Sequence, residues 1–304
     1  MSEVSIKTLL RSMRLPFLAL TFSSIFLSYS TVLYNRSSFQ VIDLLLVALG
    51  ALAAHISVNS FNEYYDFKSG LDALTEKTPF SGGSGALIDN PNSSPFVLSS
   101  ALVSLTITIL VGLFFIIEYG PSILPFGLFG IAIIVSYTQW LNRSPFLCLI
   151  APGLAFGPLM IAGTFLILSG AFSWNVLLIS LIPFFLVSNL LLLNQLPDIK
   201  ADKTVGRRHF PIVYGIENSL TLYLVISVIT AMTIIILVGL GVLPVLALIS
   251  ILPLFTSIKV FRGLHSHVDE IRQQQYSNVE PLLGMNVAMT ILTPVLLGLT
   301  LIIA

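Results

Sequence analysis

Long apolar runs alternate with short polar joints along this chain. Residues 144–197 contain no Asp, Glu, Lys, Arg or His, and residues 218–258 contain none either. One membrane-crossing helix needs about 20 mostly apolar residues, so each of these runs has room for two. Extended along the whole chain, the pattern predicts nine spans, at about 16–34, 42–64, 94–117, 122–141, 146–169, 174–196, 216–239, 242–262 and 283–303. Gly and Pro punctuate the joints at Gly120-Pro121, Gly170, Gly239 to Gly241 and Pro281. Lipid offers backbone N–H and C=O groups no partner, so each span is expected to be a helix. The strands of a closed barrel would be about half as long and would alternate in polarity, which these runs do not.

Composition agrees with that pattern. Of 304 residues 56% are apolar and 9% charged. A mean hydropathy of +0.97 excludes an ordinary soluble domain. The polar, basic start leads straight into a full-length span with no convincing cleavage site, so no secretory signal is expected. A net charge of zero gives no support for a nucleic-acid partner. Cys148 is the one cysteine, which rules out an internal disulfide or a thiolate metal site and leaves a small packing residue. The expected architecture is all-α: a polytopic membrane bundle of nine helices, one domain over residues 1–304, capped by loops on the cytoplasmic side.

Charge sets the orientation. With the N-terminus in the cytoplasm, the inner side carries Lys7, Arg11, Arg14, Lys68, Lys77, Arg143, Lys200, Lys203, Arg207, Arg208, Lys259, Arg262 and Arg272. Only Arg36 falls outside, a strong positive-inside asymmetry. The predicted location is the cell inner or plasma membrane, with three long inner loops at about 65–93, 197–215 and 263–282.

Two acidic clusters fall on that inner side. Asn59, Asn62 or Glu63, and Asp66 share one helical face, and Asp72 follows after Gly70, where the chain can turn. Asn194, Asp198 and Asp202 are each four residues apart, again one face if helical, and Pro197 bends or ends that span just before Asp198. Carboxylates near lipid are expensive and seldom idle. Such oxygen ligands suit Mg²⁺, which is usually held by a few carboxylates together with substrate phosphates. Asn62, Asp66, Asp72, Asn194, Asp198 and Asp202 are the candidate metal ligands, and the four Asp residues the candidate catalytic set. Lys68, Lys203 and Arg207 are candidate phosphate partners, although anchoring to lipid head groups competes as their role. Tyr137 and Arg143, beside the inner end of the fourth span, join the candidate substrate-binding residues with Asn59. So do Ser81, Gly82 and Gly83, in a Gly/Ser-rich stretch whose backbone N–H groups can face an anion. His55 lies one turn before Asn59 and is a candidate for the cavity wall. His209 follows the Arg pair and could touch phosphate.

Together these residues resemble the UbiA superfamily of intramembrane aromatic prenyltransferases. Asn62-x-x-x-Asp66-x-x-x-Gly70-x-Asp72 is similar to the first Asp-rich motif of that family. Asn194-x-x-x-Asp198-x-x-x-Asp202-x-x-x-Gly206, with Ile212-Val213-x-Gly215 behind it, is similar to the second. Gly157-Pro158-Leu159-Met160 through Gly163-Thr164 resembles a span-five signature of the menaquinone-precursor branch. Departures are Glu63 in place of Asp or Thr, Pro197 in place of Arg, and Arg14-Leu15-Pro16 in place of an Arg-Pro pair.

The resemblance implies Mg²⁺-assisted ionisation of a polyprenyl diphosphate and attack by an electron-rich aromatic ring, with membrane lipid around the apolar tail. Within the menaquinone branch the acceptor is 1,4-dihydroxy-2-naphthoate. Alternative acceptors are 4-hydroxybenzoate or a glycerol-phosphate lipid. A cation-coupled transporter is the more remote reading, since its acids would lie near mid-membrane rather than at span ends.

Overall fold

A computed structural model describes residues 3–75 and 78–304; the expected inner cation Lys77 lies outside the described residues. Every regular element among them is helical. Among the described residues eight helices are long and apolar enough to cross a membrane: α1 (Leu15–Tyr34), α2 (Val41–Lys68), α3 (Pro91–Tyr119), α5 (Pro145–Ser169), α6 (Trp174–Asn194), α7 (Ile216–Gly239), α8 (Val245–Ser266) and α9 (Glu280–Ile303). The fourth expected span is a shorter apolar helix, α4 (Pro121–Ser136). An amphipathic helix, Glu3–Ser12, precedes α1.

The outward faces are apolar. Leu45, Val103, Leu110, Ile117, Phe129, Leu240, Val245 and Phe255 are all exposed. In water such a belt would drive aggregation; facing acyl chains it is at home. The protein is an integral membrane protein.

Lipid supplies no hydrophobic force between helices, so close packing and internal hydrogen bonds hold them. α2 pairs with α3, α9 packs against α1 and α8, and α6 lies between α5 and α7. Small residues let backbones touch. A Cβ on Gly153 would stand 2.3 Å from Ser188 Oγ, and one on Gly157 would stand 2.6 Å from Ser180 O, so α5 meets α6 along a Gly-x-x-x-Gly edge. α5 widens to π geometry over Ala155–Ala162, between Pro152 and just past Pro158. Prolines remove donors and crowd the preceding turn, which accounts for the irregularity. Ser28 of α1 donates across to Ile161 O at 2.8 Å, so the widened stretch is tied to its neighbour.

Two features position the inner end of the bundle. α2 continues to Lys68, past its expected end, so Asp66 sits on its last turn rather than in a loop. α6 stops at Asn194, and a turn through Pro197 leads into a short helix, Ile199–Thr204. The two acidic clusters therefore ride on, or directly behind, helix ends.

Candidate active site

A cavity of about 390 Å³ lies at this end of the bundle and extends between α2, α3, α4 and α5. Asn59, Asn62 and Asp66 of α2 line it, with Asp72, Ser81, Gly82 and Gly83 from the connection to α3. Asn194, Asp198, Asp202 and Arg207 line the opposing wall, and Tyr137 lies beside them. The carboxylates and amides expected from the two motifs thus share one space.

Arg207 is the joint between the clusters. It forms ion pairs with Asp66 and, at 2.8 Å, with Asp202 Oδ1. Burial works against the Arg207 cation, but Asp66 and Asp202 outweigh it and hold its pKa above the ordinary value. Asn62 Nδ2 donates to Asp66 Oδ2 at 2.8 Å, the i to i+4 contact their spacing permits. His209 is buried, with Nε2 3.0 Å from Asp202 Oδ2. Asp198 receives one hydrogen bond, from the Gly82 N–H at 3.3 Å to Oδ2. Burial, and then the neighbouring Asp202 charge, push the Asp198 carboxyl up to about 8.

The Gly/Ser-rich stretch at residues 78–85 forms a strap over the cavity. Thr78 Oγ1 accepts from Ser81 N at 3.0 Å and lies 2.8 Å from Ser81 Oγ, which folds the first turn on itself. Glu63, fully buried, holds the far end: its carboxylate accepts from Ser84 N at 3.0 Å, from Ala86 N at 3.3 Å and from the Ser84 hydroxyl. Gly83 has φ of +71°, and a Cβ there would lie 2.7 Å from Asp72 Oδ1. Only glycine fits that crossing without displacing the carboxylate.

Three expected contacts are not made. Lys68, Lys203 and Arg143 are exposed and do not line the cavity. Lys68 Nζ instead sits 5.7 Å from the centroid of the Tyr64 ring. Each stands within two positions of a cavity residue, Asp66, Asp202 or Asn142, and such near neighbours point to different sides of a helical turn. Asn59 lines the cavity while its amide donates to Met13 O at 3.1 Å, fixing the approach to α1.

Other lining residues carried weaker sequence signals. Arg14 faces the cavity from just before α1, 3.9 Å from Glu63. Asn142 lines it and accepts the Arg208 backbone N–H at 2.9 Å through its own carbonyl. Cys148 is more than packing: it faces the cavity and receives a hydrogen bond from Gln195 Nε2 at 3.1 Å. His55 is in the wall, as its position one turn before Asn59 suggested.

The donor set fits a hard cation. Asn194 Oδ1 and Asp198 Oδ1 are buried with no hydrogen-bond partner among the described residues, a costly state unless something else binds them. No three Asp, Glu, His or Cys side chains among those residues enclose an ion by themselves. Mg²⁺ does not need such a cage, because it keeps waters and takes substrate phosphates.

Comparison with known proteins agrees with this geometry. Residues 21–279 match the UbiA prenyltransferase family. The 1,4-dihydroxy-2-naphthoate octaprenyltransferase of Bacillus subtilis (strain 168) is 32% identical over 187 residues; the match spans 60% of this chain and 58% of that relative's length. A UbiA homolog from Archaeoglobus fulgidus bound to GPP and Mg²⁺ superposes with a TM-score of 0.66 at 18% identity, over 98% of this chain and 100% of that one. A structure of digeranylgeranylglyceryl phosphate synthase gives a TM-score of 0.59 at 16% identity, over 99% of each chain. The family match covers most of the chain and takes in both acidic clusters and the helices that carry them: this protein belongs to the UbiA prenyltransferase family.

Proposed function

We propose that this protein transfers a polyprenyl group from a polyprenyl diphosphate to an aromatic acceptor, and that the acceptor is 1,4-dihydroxy-2-naphthoate. The carrying observation is the convergence of Asp66, Asp72, Asp198 and Asp202 at the polar mouth of a cavity whose other end is apolar. The likeness to the Bacillus subtilis octaprenyltransferase supports the choice of acceptor.

In this reading the four Asp carboxylates, with Asn62 and Asn194, hold Mg²⁺ and through it the diphosphate. Mg²⁺, when bound, neutralises negative charge on the departing diphosphate. Arg207 keeps the two clusters in register, and the strap at residues 78–85 covers the cradle from solvent. Val47, Gly50, Val111, Phe115 and Ile123 line the apolar end and receive the prenyl tail. The allylic C–O bond breaks, its electron pair leaving with the diphosphate. Apolar walls exclude water, so the allylic carbon is captured by an electron-rich ring carbon instead. The new C–C bond forms at the ring carbon that bears the carboxylate; the bond from that carbon to the carboxylate then breaks, its electron pair restores the aromatic ring, and CO₂ departs.

The same proposal places the N-terminus, the cradle and the strap on the cytoplasmic side, with α4 as a ninth crossing and the whole chain acting as one domain. Purified protein is to be offered Mg²⁺, labelled geranylgeranyl diphosphate and a panel of acceptors: 1,4-dihydroxy-2-naphthoate, 4-hydroxybenzoate and a glycerol-phosphate lipid. Prenylated naphthoquinol is the expected product. Product with another acceptor alone would overturn the acceptor assignment and keep the reaction.

A further inference from the structure

One polar group in the cavity has no role in holding diphosphate. His55, Asn59, Asn62 and Asp66 fall at i, i+4, i+7 and i+11 along α2 and all face the cavity. At 1.5 Å per residue, His55 lies about 16 Å deeper than Asp66. Beyond it the same face turns apolar. His55 is therefore the deepest polar side chain on the cavity face of α2.

Its ring is held in one orientation. His55 Nδ1 is 2.8 Å from Thr21 Oγ1 of α1, and the ring stands edge-on to Phe156, 4.9 Å between centroids. Many other Ser and Thr hydroxyls in these helices donate to a carbonyl in their own preceding turn. Thr21, fully buried, makes no hydrogen bond except the one to His55 among the described residues. A neutral imidazole donates from one nitrogen and accepts at the other. If Nδ1 carried the proton, the buried Thr21 O–H would lack an acceptor. Both groups are satisfied when Thr21 donates to Nδ1, which leaves Nε2–H as a donor. That Nε2 has no hydrogen-bond partner among the described residues.

This donor opens into the cavity, where a hydrocarbon tail would offer it nothing and would leave it unmet, which is costly. The geometry points to a second ligand at this depth, flat enough to lie against Phe156 and carrying an oxygen acceptor. We infer that His55, oriented by Thr21, hydrogen-bonds a ring oxygen of the aromatic acceptor and so selects hydroxylated rings. The inference rests on the proposed transferase reading and adds a specificity-determining pair to it.

The test compares wild type with His55→Leu, His55→Gln and Thr21→Val in the transfer assay, varying each substrate separately. His55→Leu is expected to raise the KM for 1,4-dihydroxy-2-naphthoate about tenfold or more, the effect of one lost buried hydrogen bond, while the KM for the prenyl diphosphate stays in place. That second KM also shows that the cradle is folded. His55→Gln, which keeps an N–H donor, is expected to recover most of the loss, and Thr21→Val to fall between. Equal changes in both KM values, no change for the acceptor, or a Gln variant no better than Leu would overturn the inference and leave the transferase reading intact. No transfer by wild type to any aromatic acceptor would overturn the transferase reading, and this inference with it.

Discussion

Arg207 and Asp66, 141 residues apart in the chain, form an ion pair that joins the end of α2 to the segment behind α6. The other guanidinium nitrogen holds Asp202. One planar cation thus sets the spacing of two acidic clusters that would otherwise repel. Removing one partner of a buried pair typically costs about 3–5 kcal/mol. Arg207→Ala is therefore expected to lower Tm in detergent markedly, whereas exposed Arg143→Ala changes it little. Arg207→Lys should rescue poorly, because a point charge cannot fork between two carboxylates. A thermal-shift series over the three variants checks this.

Glu63 is expected to act as the strap's anchor and not as a metal ligand. It accepts from Ser84 N, the Ser84 hydroxyl and Ala86 N, and no water reaches it. Glu63→Ala removes the acceptor of Ser84 N and of the Ser84 hydroxyl, at about 1–3 kcal/mol for each unmet group, while Ala86 N keeps its 3.1 Å bond to Ser84 Oγ. Limited proteolysis should then cut within residues 78–85, and the KM for prenyl diphosphate should rise. An intact strap in Glu63→Ala would contradict the assignment.

Two glycines of similar backbone should respond differently. Gly70 (φ +76°) has open space where a Cβ would go, whereas at Gly83 (φ +71°) that space holds Asp72 Oδ1. Gly70→Ala is expected to cost only the left-handed backbone penalty, about 1–2 kcal/mol. Gly83→Ala carries that penalty and also displaces a cradle carboxylate. Activity should survive the first change and be largely lost in the second, at matched folded protein.

The pH response of the metal-free protein follows from Asp198. Its carboxyl is raised from 3.8 to about 8 in the fold, chiefly by burial. Folding therefore favours the protonated form, and the contribution is fully present below pH 4. It is lost progressively as pH rises from about 4 to about 8, because the unfolded carboxyl ionises freely over that range. Tm in EDTA should fall across this window, and Asp198→Asn should flatten the fall. Mg²⁺ should stabilise most at the alkaline end, where the carboxylate is charged.

The helix bundle was largely legible in the sequence, since uninterrupted apolar runs leave few choices in lipid. Asp66, Asp72, Asp198 and Asp202 were legible as cavity residues: helical spacing puts Asp66 on the face of Asn59 and Asn62, and the turns marked by Gly70 and Pro197 carry the other three to the same space. α4 was not: the apolar run at 122–141 hides a helix end at Ser136, after which Tyr137 to Trp140 form turns. Lys68, Lys203 and Arg143 misled because nearness in sequence to a cavity residue says nothing of side. His209 and the double grip of Arg207 depend on how the segment behind α6 folds back, which no local pattern encodes. Glu63 carried a signal, a carboxylate between two motif positions, but its partners lie on the strap.

Topology offers a separate check. Eight crossings would return the C-terminus to the side of the N-terminus, and nine would place it opposite. With α4 as a crossing, a reporter fused after Ala304 should report the outside of the cell, and one before Met1 the cytoplasm. Two cytoplasmic reporters would remove α4 from the set of crossings.

The central claim is that both acidic clusters act together on one diphosphate. The most direct measurement is prenyl transfer from labelled geranylgeranyl diphosphate to 1,4-dihydroxy-2-naphthoate by purified wild type, Asp66→Ala and Asp198→Ala, each with Mg²⁺ and with EDTA. Transfer by wild type in Mg²⁺ alone, abolished in both variants, is the predicted result. Transfer that survives either substitution, or that ignores EDTA, would contradict the account.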